Sequence, residues 1–342
     1  MREEEGLGLR PNIGIRGATA ERSSNVTLME DGILIAPAPY SNPAAYYFPT
    51  FKRMSSLEVL KGAPLLRYGP QTTGGVINLI STPIPDEQKG YVEAVTNERG
   101  STDVHATYGD TNGDWGYLFE TVQRSAQGFK DIDRSNRNSG FDISDYVGKL
   151  RWQGDRQSVT AKLQYSEETS NSSYLGLTDA DFSQDPNRRY GLSSPDQMDN
   201  THSGVSLTHQ FEWSDNVSST TTLYRNDFKR NWYKLSGGGN IIDAANTGDA
   251  NAQGILDGTV DTSGLNYKNN AREYVSQGVQ TNFDVTIGNH EFDFGARAHE
   301  DEMDRFQPVD VYDQVNGSLV FQNSVAPTGS NNRFETGEAL SF

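Results

Sequence analysis

Cysteine is absent from the 342 residues, so no disulfide framework, thiolate metal site or cysteine nucleophile is available. Basic charge is thin: 29 Lys and Arg stand against 46 Asp and Glu, a formal net charge of −17. Nucleic acid binding needs a concentrated basic surface, so this balance excludes it as a main partner while leaving room for a local basic pocket. Histidine is sparse, and His105, His202, His209, His290 and His299 fall on separate strands or strand ends with no metal-ligand spacing. Long apolar runs are also missing. Mean hydropathy is −0.69, and no stretch approaches the ~18 apolar residues of a membrane helix. That excludes helical spans only. A transmembrane β-strand needs ~9–11 residues with every second one apolar, and therefore scores as polar.

Catalytic and cofactor signatures are missing as well. Gly17, Gly32, Gly62, Gly69, Gly74 and Gly75 read as turn and close-packing devices, because no Gly-Lys-Ser/Thr follows them. No nucleophile elbow or zinc motif occurs, so the expectation is a non-enzyme without a permanent cofactor or metal. Asp179, Asp181 and Asp185 could hold calcium in an outer loop, or simply be a solvated acidic loop, the commoner case. Met1-Arg2-Glu3-Glu4-Glu5 leads into Gly-rich sequence rather than the apolar core of a signal peptide. The chain is therefore expected to be a piece of a longer protein.

What is present is β-patterned. Residues 1–85 read as short strands and turns: a strand over 12–17, a hairpin over 26–35 around Asp31-Gly32, and a short helix over 51–56 leading into a strand at 57–60. Pro83-Ile84-Pro85 breaks pairing and marks a boundary. Beyond Gln88 the alternation becomes strict. Val159, Ala161, Leu163 and Tyr165 face away from Thr160, Lys162, Gln164 and Ser166, and 146–153, 205–213 and 290–299 repeat the pattern. Tight turns at 154–156, 214–216 and 287–289 alternate with long polar connections at 126–143, 168–202, 235–271 and 302–332. Short turns at one end and long loops at the other describe an outer-membrane barrel better than a soluble sandwich.

The fold class expected is all-β: an incomplete transmembrane antiparallel β-barrel of about ten strands over 86–342, preceded by an α+β plug over 1–85. Plugged barrels have about 22 strands, so such a half barrel leaves unpaired edges in lipid and is not expected to insert and fold alone.

Three motifs carry a family resemblance: Ile15-Arg16-Gly17, Met29-Glu30-Asp31-Gly32, and the block from Val59 through Arg67-Tyr68-Gly69-Pro70-Gln71 and Gly74-Gly75 to Ser81. At these spacings and followed by barrel strands, they resemble the TonB-dependent outer-membrane receptors over the whole chain. Ile35 to Tyr40, Arg67 to Gln71 and the Ile84-Pro85 exit are most similar to the ferric citrate receptors. The resemblance implies import of a ferric siderophore, first of all ferric citrate, across the outer membrane. It also implies coupling to the TonB–ExbB–ExbD complex through a segment upstream of Met1, contact with outer-membrane lipid, and no covalent chemistry. Another siderophore, cobalamin, a saccharide or a passive porin remain as alternatives.

The same resemblance supplies the candidate ligand residues. Arg67 and Tyr68, with Gln71, would stand on a plug apex, where guanidinium binds carboxylates bidentately; Arg67 could instead pair with a wall acid. Tyr40 and Asn42 would mark a second apex, or a loop packed on the wall. Arg305 and Arg333, at the bases of an outer loop, would clamp the ligand or be solvated. Arg16 is expected to be buried and paired, with Glu58 as its partner.

Overall fold

A computed structural model describes residues 2–3, 6–41, 47–62, 68–70, 72–98 and 100–342. The N-terminal part holds a small bridge, β1 (Arg2–Glu3) with β2 (Pro11–Asn12), and a four-stranded sheet. The sheet contains β3 (Val26–Glu30), β4 (Ile33–Leu34), β5 (Met54–Leu60) and β6 (Gly75–Ser81) in the order β4-β3-β6-β5. β3 runs parallel to β6, and the other pairs are antiparallel.

Asp31 and Gly32 turn the β3–β4 hairpin with φ of 51° and 79°, the left-handed pair that a two-residue hairpin requires. The strand expected over 12–17 stops at Asn12. Arg16 and Gly17 take φ of 56° and 77°, so that segment turns instead of extending. Arg16 is exposed, and Glu58 accepts a hydrogen bond from Asn78 Nδ2 at 2.8 Å, which corrects the expected Arg16–Glu58 pair. The buried plug arginines are instead Arg10, which pairs with Glu168, and Arg53, at the end of a 3-10 turn (Phe51–Arg53) that precedes β5.

The rest is one large antiparallel sheet. Its first strands are β7 (Lys89–Thr96), β8 (Thr102–Asn112), β9 (Trp115–Ala126), β11 (Phe141–Gln153) and β12 (Gln157–Ser170). It continues through β14 (Gln197–Ser214), β15 (Val217–Ser236), β16 (Thr262–Ile287), β17 (His290–Phe306) and β20 (Asn332–Ser341). A hairpin of β18 (Val309–Val315) and β19 (Ser318–Val325) pairs with the first residues of β16, beyond the reach of β17. A short parallel bridge joins β10 (Asp131–Ile132) to β13 (Arg188–Arg189). The sheet is a partial barrel, not closed: β7 and β20 each pair on one side only among the described residues.

Alternation and register together make the two faces. One row across seven strands reads Leu150, Ala161, Leu207, Leu223, Val279, Ala298 and Leu340, every member apolar. Trp115 and Trp213 stand exposed toward the tight-turn end, and the cross-strand pair Tyr146–Tyr165 toward the other. An apolar band between aromatic girdles is the surface that a bilayer requires. The adjacent inner row carries Lys162, Ser206, Tyr224 and His299.

The long connections are shorter than expected, at 127–140, 171–196, 237–261 and 307–331. The ladder runs on past the lipid band, where both faces meet polar surroundings and apolar alternation fades while the backbone pairing persists.

The plug is tied to the wall by buried charge. Arg53, 1% exposed, donates Nη2–H to Glu30 Oε2 at 3.0 Å and Nε–H to Asp145 Oδ2 of β11 at 3.0 Å. Lys162 of β12 pairs with Glu30, and with Asp31 Oδ2 at 2.7 Å. Lys149 donates to Ser81 Oγ and to the Thr82 carbonyl, both at 2.6 Å. Burial works to raise the Glu30 pKa, but the Arg53 and Lys162 charges outweigh it and hold the carboxyl well below its usual 4.5.

Removing one partner of such a group leaves a buried charge uncompensated. Arg53→Ala in the full-length protein should therefore cost about 3–5 kcal/mol, read as a lower melting temperature in detergent. Glu30 has a depressed folded pKa, so its contribution is complete above about pH 4.5 and drains away on further acidification. An Arg53→Ala protein that melts like the parent at pH 7.5 would refute this role.

Candidate functional site

Four arginines stand side by side on the inner face at the outer ends of the strands. Arg230 of β15 is in register with Arg272 of β16, Arg272 with Arg305 of β17, and Arg305 with Arg333 of β20. Directly opposed residues have Cβ atoms about 4.5–5.5 Å apart, and like charges so placed repel. One strand step toward the membrane, the inner face carries the cluster Phe228, Tyr274 and Met303, onto which the plug packs Ala38 and Tyr47. Tyr47 stacks on His202 with ring centroids 4.1 Å apart. The arginine row thus lies directly above the plug.

Arg333 pairs with Glu335. Arg272 donates Nη1–H to Tyr274 Oη and Arg305 donates Nη1–H to the Ser330 carbonyl, each at 3.2 Å. The buried Nε of Arg272 and of Arg305 has no protein acceptor. Burial, then the Arg272 and Arg333 charges, lower the pKa of Arg305. Two further steps outward, Lys268 lies opposite Lys234. Burial, then the Arg305 and Arg272 charges, lower the Lys268 pKa. Lys234 Nζ sits 3.3 Å from the Tyr174 ring centroid and 3.9 Å from that of Trp232, a cation–π stack at the edge of the same surface. An inward strip of six cations suits an anionic ligand with several carboxylates or comparable oxygens.

The loops above form a small folded cap. Leu175, Tyr190, Leu192, Leu235, Leu256, Leu265 and Tyr267 make a core among the outer connections and the strand ends. Helix α2 (Gly238–Asn246) packs on it and helix α3 (Ala250–Asp257) contributes to it, while helix α1 (Asp179–Gln184) lies in the connection between Leu175 and Tyr190. Arg188 clamps three connections through Asp133 at 2.9 Å, Asp181 at 2.9 Å and Asp257 at 2.7 Å. Asp181 also accepts from Tyr190 Oη at 2.6 Å, so this carboxylate holds the cap together. No group of three or more metal-ligating side chains occurs among the described residues.

Of the residues marked from sequence, Arg305 and Arg333 stand in the row. Arg272 and Arg230 were missed. Their signal was available in part: Arg272 and Arg305 are equidistant from the tight turn joining Ile287 to His290. The Arg230–Arg272 register, by contrast, spans a long connection that sequence cannot measure. Tyr40 and Tyr68 both pack against the plug cluster of Met29, Leu34 and Val76. The Tyr40 and Ser41 amides donate to Asp301 of β17 at 2.7 and 3.2 Å, so this apex is docked on the wall. Arg67, Gln71 and Asn42 lie outside the described residues.

A sheet-bearing plug beneath an inward cationic strip, inside a wall with an apolar outer belt, defines a plugged-barrel architecture. Residues 2–76 match the family model of the TonB-dependent Receptor Plug Domain. The ferric citrate transporter FecA in its unliganded form shares the fold with a TM-score of 0.69 at 19% identity, covering 98% of this chain and 46% of that one. The siderophore receptor PiuA from Acinetobacter baumannii gives 0.64 at 13% identity, covering 97% and 48%. The ferripyoverdine receptor of the Pseudomonas aeruginosa outer membrane gives 0.61 at 13% identity, covering 96% and 43%. The chain thus carries a TonB-dependent receptor plug and, over nearly its whole length, the plug-and-barrel fold of those receptors. It spans a little under half the length of these solved structures.

The cap contains a pH-sensitive carboxyl. Asp196 is almost fully buried and accepts from the Tyr174 amide at 2.9 Å and the Leu235 amide at 3.2 Å. Burial nevertheless pushes its pKa from 3.8 up to about 7. A raised folded pKa means that the folded cap holds the proton more tightly than the open one. Cap stability should fall as pH rises from about 4 through 7 and level off above that. Hydrogen exchange at the Tyr174 and Leu235 amides should quicken between pH 5 and 8 beyond the intrinsic rate, and Asp196→Asn should abolish that excess.

Proposed function

We propose that this chain is the plug, over 1–85, and the first part of the barrel, over 86–342, of a receptor that imports a ferric siderophore across the outer membrane. The transported ligand is an anionic, carboxylate-rich chelate, with ferric citrate the leading candidate. The observation that carries this reading is the register of Arg230, Arg272, Arg305 and Arg333, four inward guanidiniums above the plug. Charges set against each other at close quarters are relieved by a polyanion, and each bidentate carboxylate adds directional hydrogen bonds.

Ligand bound there would rest on the Phe228–Tyr274–Met303 strip that also grips Ala38 and Tyr47 of the plug. Binding could therefore be felt by the plug without a long relay. Inward release would require the plug to leave the buried Glu30–Arg53–Asp145–Lys162 network, work assigned to the TonB–ExbB–ExbD complex. The matched solved structures are transporters and receptors by description, which supports transport over catalysis. A second ligand reading, an aromatic siderophore, draws on the Tyr174–Lys234–Trp232 stack. Cobalamin or a saccharide would have little use for the arginines. A passive porin would have little use for a plug fastened by buried ion pairs.

The test is radio-iron import from iron citrate by a complete receptor, in a host without its own ferric citrate uptake and with or without TonB. TonB-dependent import is expected. Arg305→Ala alone should weaken ligand binding roughly tenfold or more, because a hydrogen bond to a charged group contributes about 1.5–3 kcal/mol. The Arg272, Arg305 and Arg333 triple alanine variant should bind no measurable ligand. TonB-dependent import of a different chelate would keep the mechanism and reject citrate, and import indifferent to TonB would reject the mechanism.

A further inference from the structure

Arg297 of β17 faces inward eight positions before Arg305, about 26 Å along the strand from the arginine row. It is 8% exposed, yet its Nε and Nη2 have no hydrogen-bond acceptor. No carboxylate lies within ion-pair distance of it among the described residues. Two acids lie four positions from it on its own face of β17, Asp293 and Asp301. Asp301 is engaged by the Tyr40 and Ser41 amides and the Ser41 hydroxyl, and neither acid forms an ion pair with Arg297 among the described residues. Among the undescribed residues the acids are Glu4 and Glu5, and the segments 42–46 and 63–67 and Gln71 contain none.

Two further donors converge on the same place. Tyr40 Oη is buried without a partner, and its ring lies 5.0 Å from that of His299. His299 Nδ1 meets Tyr224 Oη at 2.7 Å, while Nε2 makes no hydrogen bond and stays 3.6 Å from Asp301 Oδ2. Gly69 of the plug, with φ of +112°, closes the group: a Cβ there would stand 2.9 Å from Arg297 Nη2 and 3.4 Å from Tyr40 Oη. A buried guanidinium and a phenol with unmet hydrogen bonds thus meet at the plug–wall boundary, beside an imidazole whose Nε2 faces Asp301, and no carboxylate pairs with the guanidinium among the described residues. Buried polar groups are normally satisfied, and a buried cation is normally paired, so such a deficit marks a place for an anion.

We propose that Arg297, Tyr40 and His299 form a second anion-binding point, one that takes a carboxylate of the transported chelate on its way past the plug. Arg297 and His299 belong to the wall, while Tyr40 and Gly69 belong to the plug. When the plug shifts, the wall pair remains as the next cationic hold beneath the vestibule. The identity of the chelate rests on the import reading above; the anion point itself does not.

Crystals of the complete receptor soaked in bromide separate the two. An anomalous peak is expected within hydrogen-bonding range of Arg297 Nη2 in the parent, reduced in Tyr40→Phe, absent in Arg297→Gln and retained in Arg297→Lys. In cells, Arg297→Gln should leave surface affinity for iron citrate unchanged and cut the maximal import rate at least fivefold. No bromide peak in the parent, or a carboxylate from elsewhere in the receptor paired with Arg297, overturns the proposal. A peak with import unaffected by Arg297→Gln overturns its place on the transport path. A parent that imports no iron citrate but shows the peak rejects the ligand assignment and leaves the anion point standing, to be tested with soaked citrate.

Discussion

Everything in this molecule depends on a buried charge arrangement that neither the plug nor the wall could keep alone. Glu30 lies on the central plug strand and Arg53 enters from the turn before the edge strand; wall residues Asp145 and Lys162 complete their pairing. Buried ions are stable only when paired and hydrogen-bonded, so the plug chain is held to one seating within the wall. Breaking such a pair by removing one partner is costly, because it leaves the other charge buried and uncompensated. Asp31 links the join to the hairpin turn, since Ser81 donates to it from both its amide, at 2.9 Å, and its hydroxyl.

The second constraint is the antiparallel register. A strand alternates strictly, so one shift of pairing would exchange the lipid face with the inner face. The register that aligns Leu150 through Leu340 into an apolar belt is the same one that aligns Arg230, Arg272, Arg305 and Arg333. The membrane surface and the cationic strip are therefore not independent features. The lipid requirement fixes the pairing within the bilayer, and the ladder carries that pairing outward, where the arginines are held despite mutual repulsion.

Much of this architecture was legible from residues. Alternation such as Val159 to Ser166 defines a two-faced strand, and Asp31-Gly32 defines a hairpin, because each depends on local geometry that the residues impose. Arg305 and Arg333 could be placed near a loop base. The strand over 12–17 was misread because Ile, Gly and Ile suit extension locally, while Arg16 and Gly17 adopt left-handed angles in the folded plug. Arg16 drew the attention due to Arg53, since nothing in a single sequence distinguishes an exposed arginine from one enclosed by two distant carboxylates.

By itself the sequence determined the class of structure: two-faced strands, tight turns on one side, a turn-rich segment in front, and no route to thiol or phosphate-loop chemistry. Those are consequences of local periodicity and residue type. Only the tertiary structure decided which arginines stand together, that Arg53 is buried while Arg16 is exposed, and that Arg297 is enclosed with no paired acid among the described residues. Each of these is a pairing across tens or hundreds of residues. Such pairings follow from strand register and from how the plug seats in the wall, and neither quantity is written in any local stretch of chain.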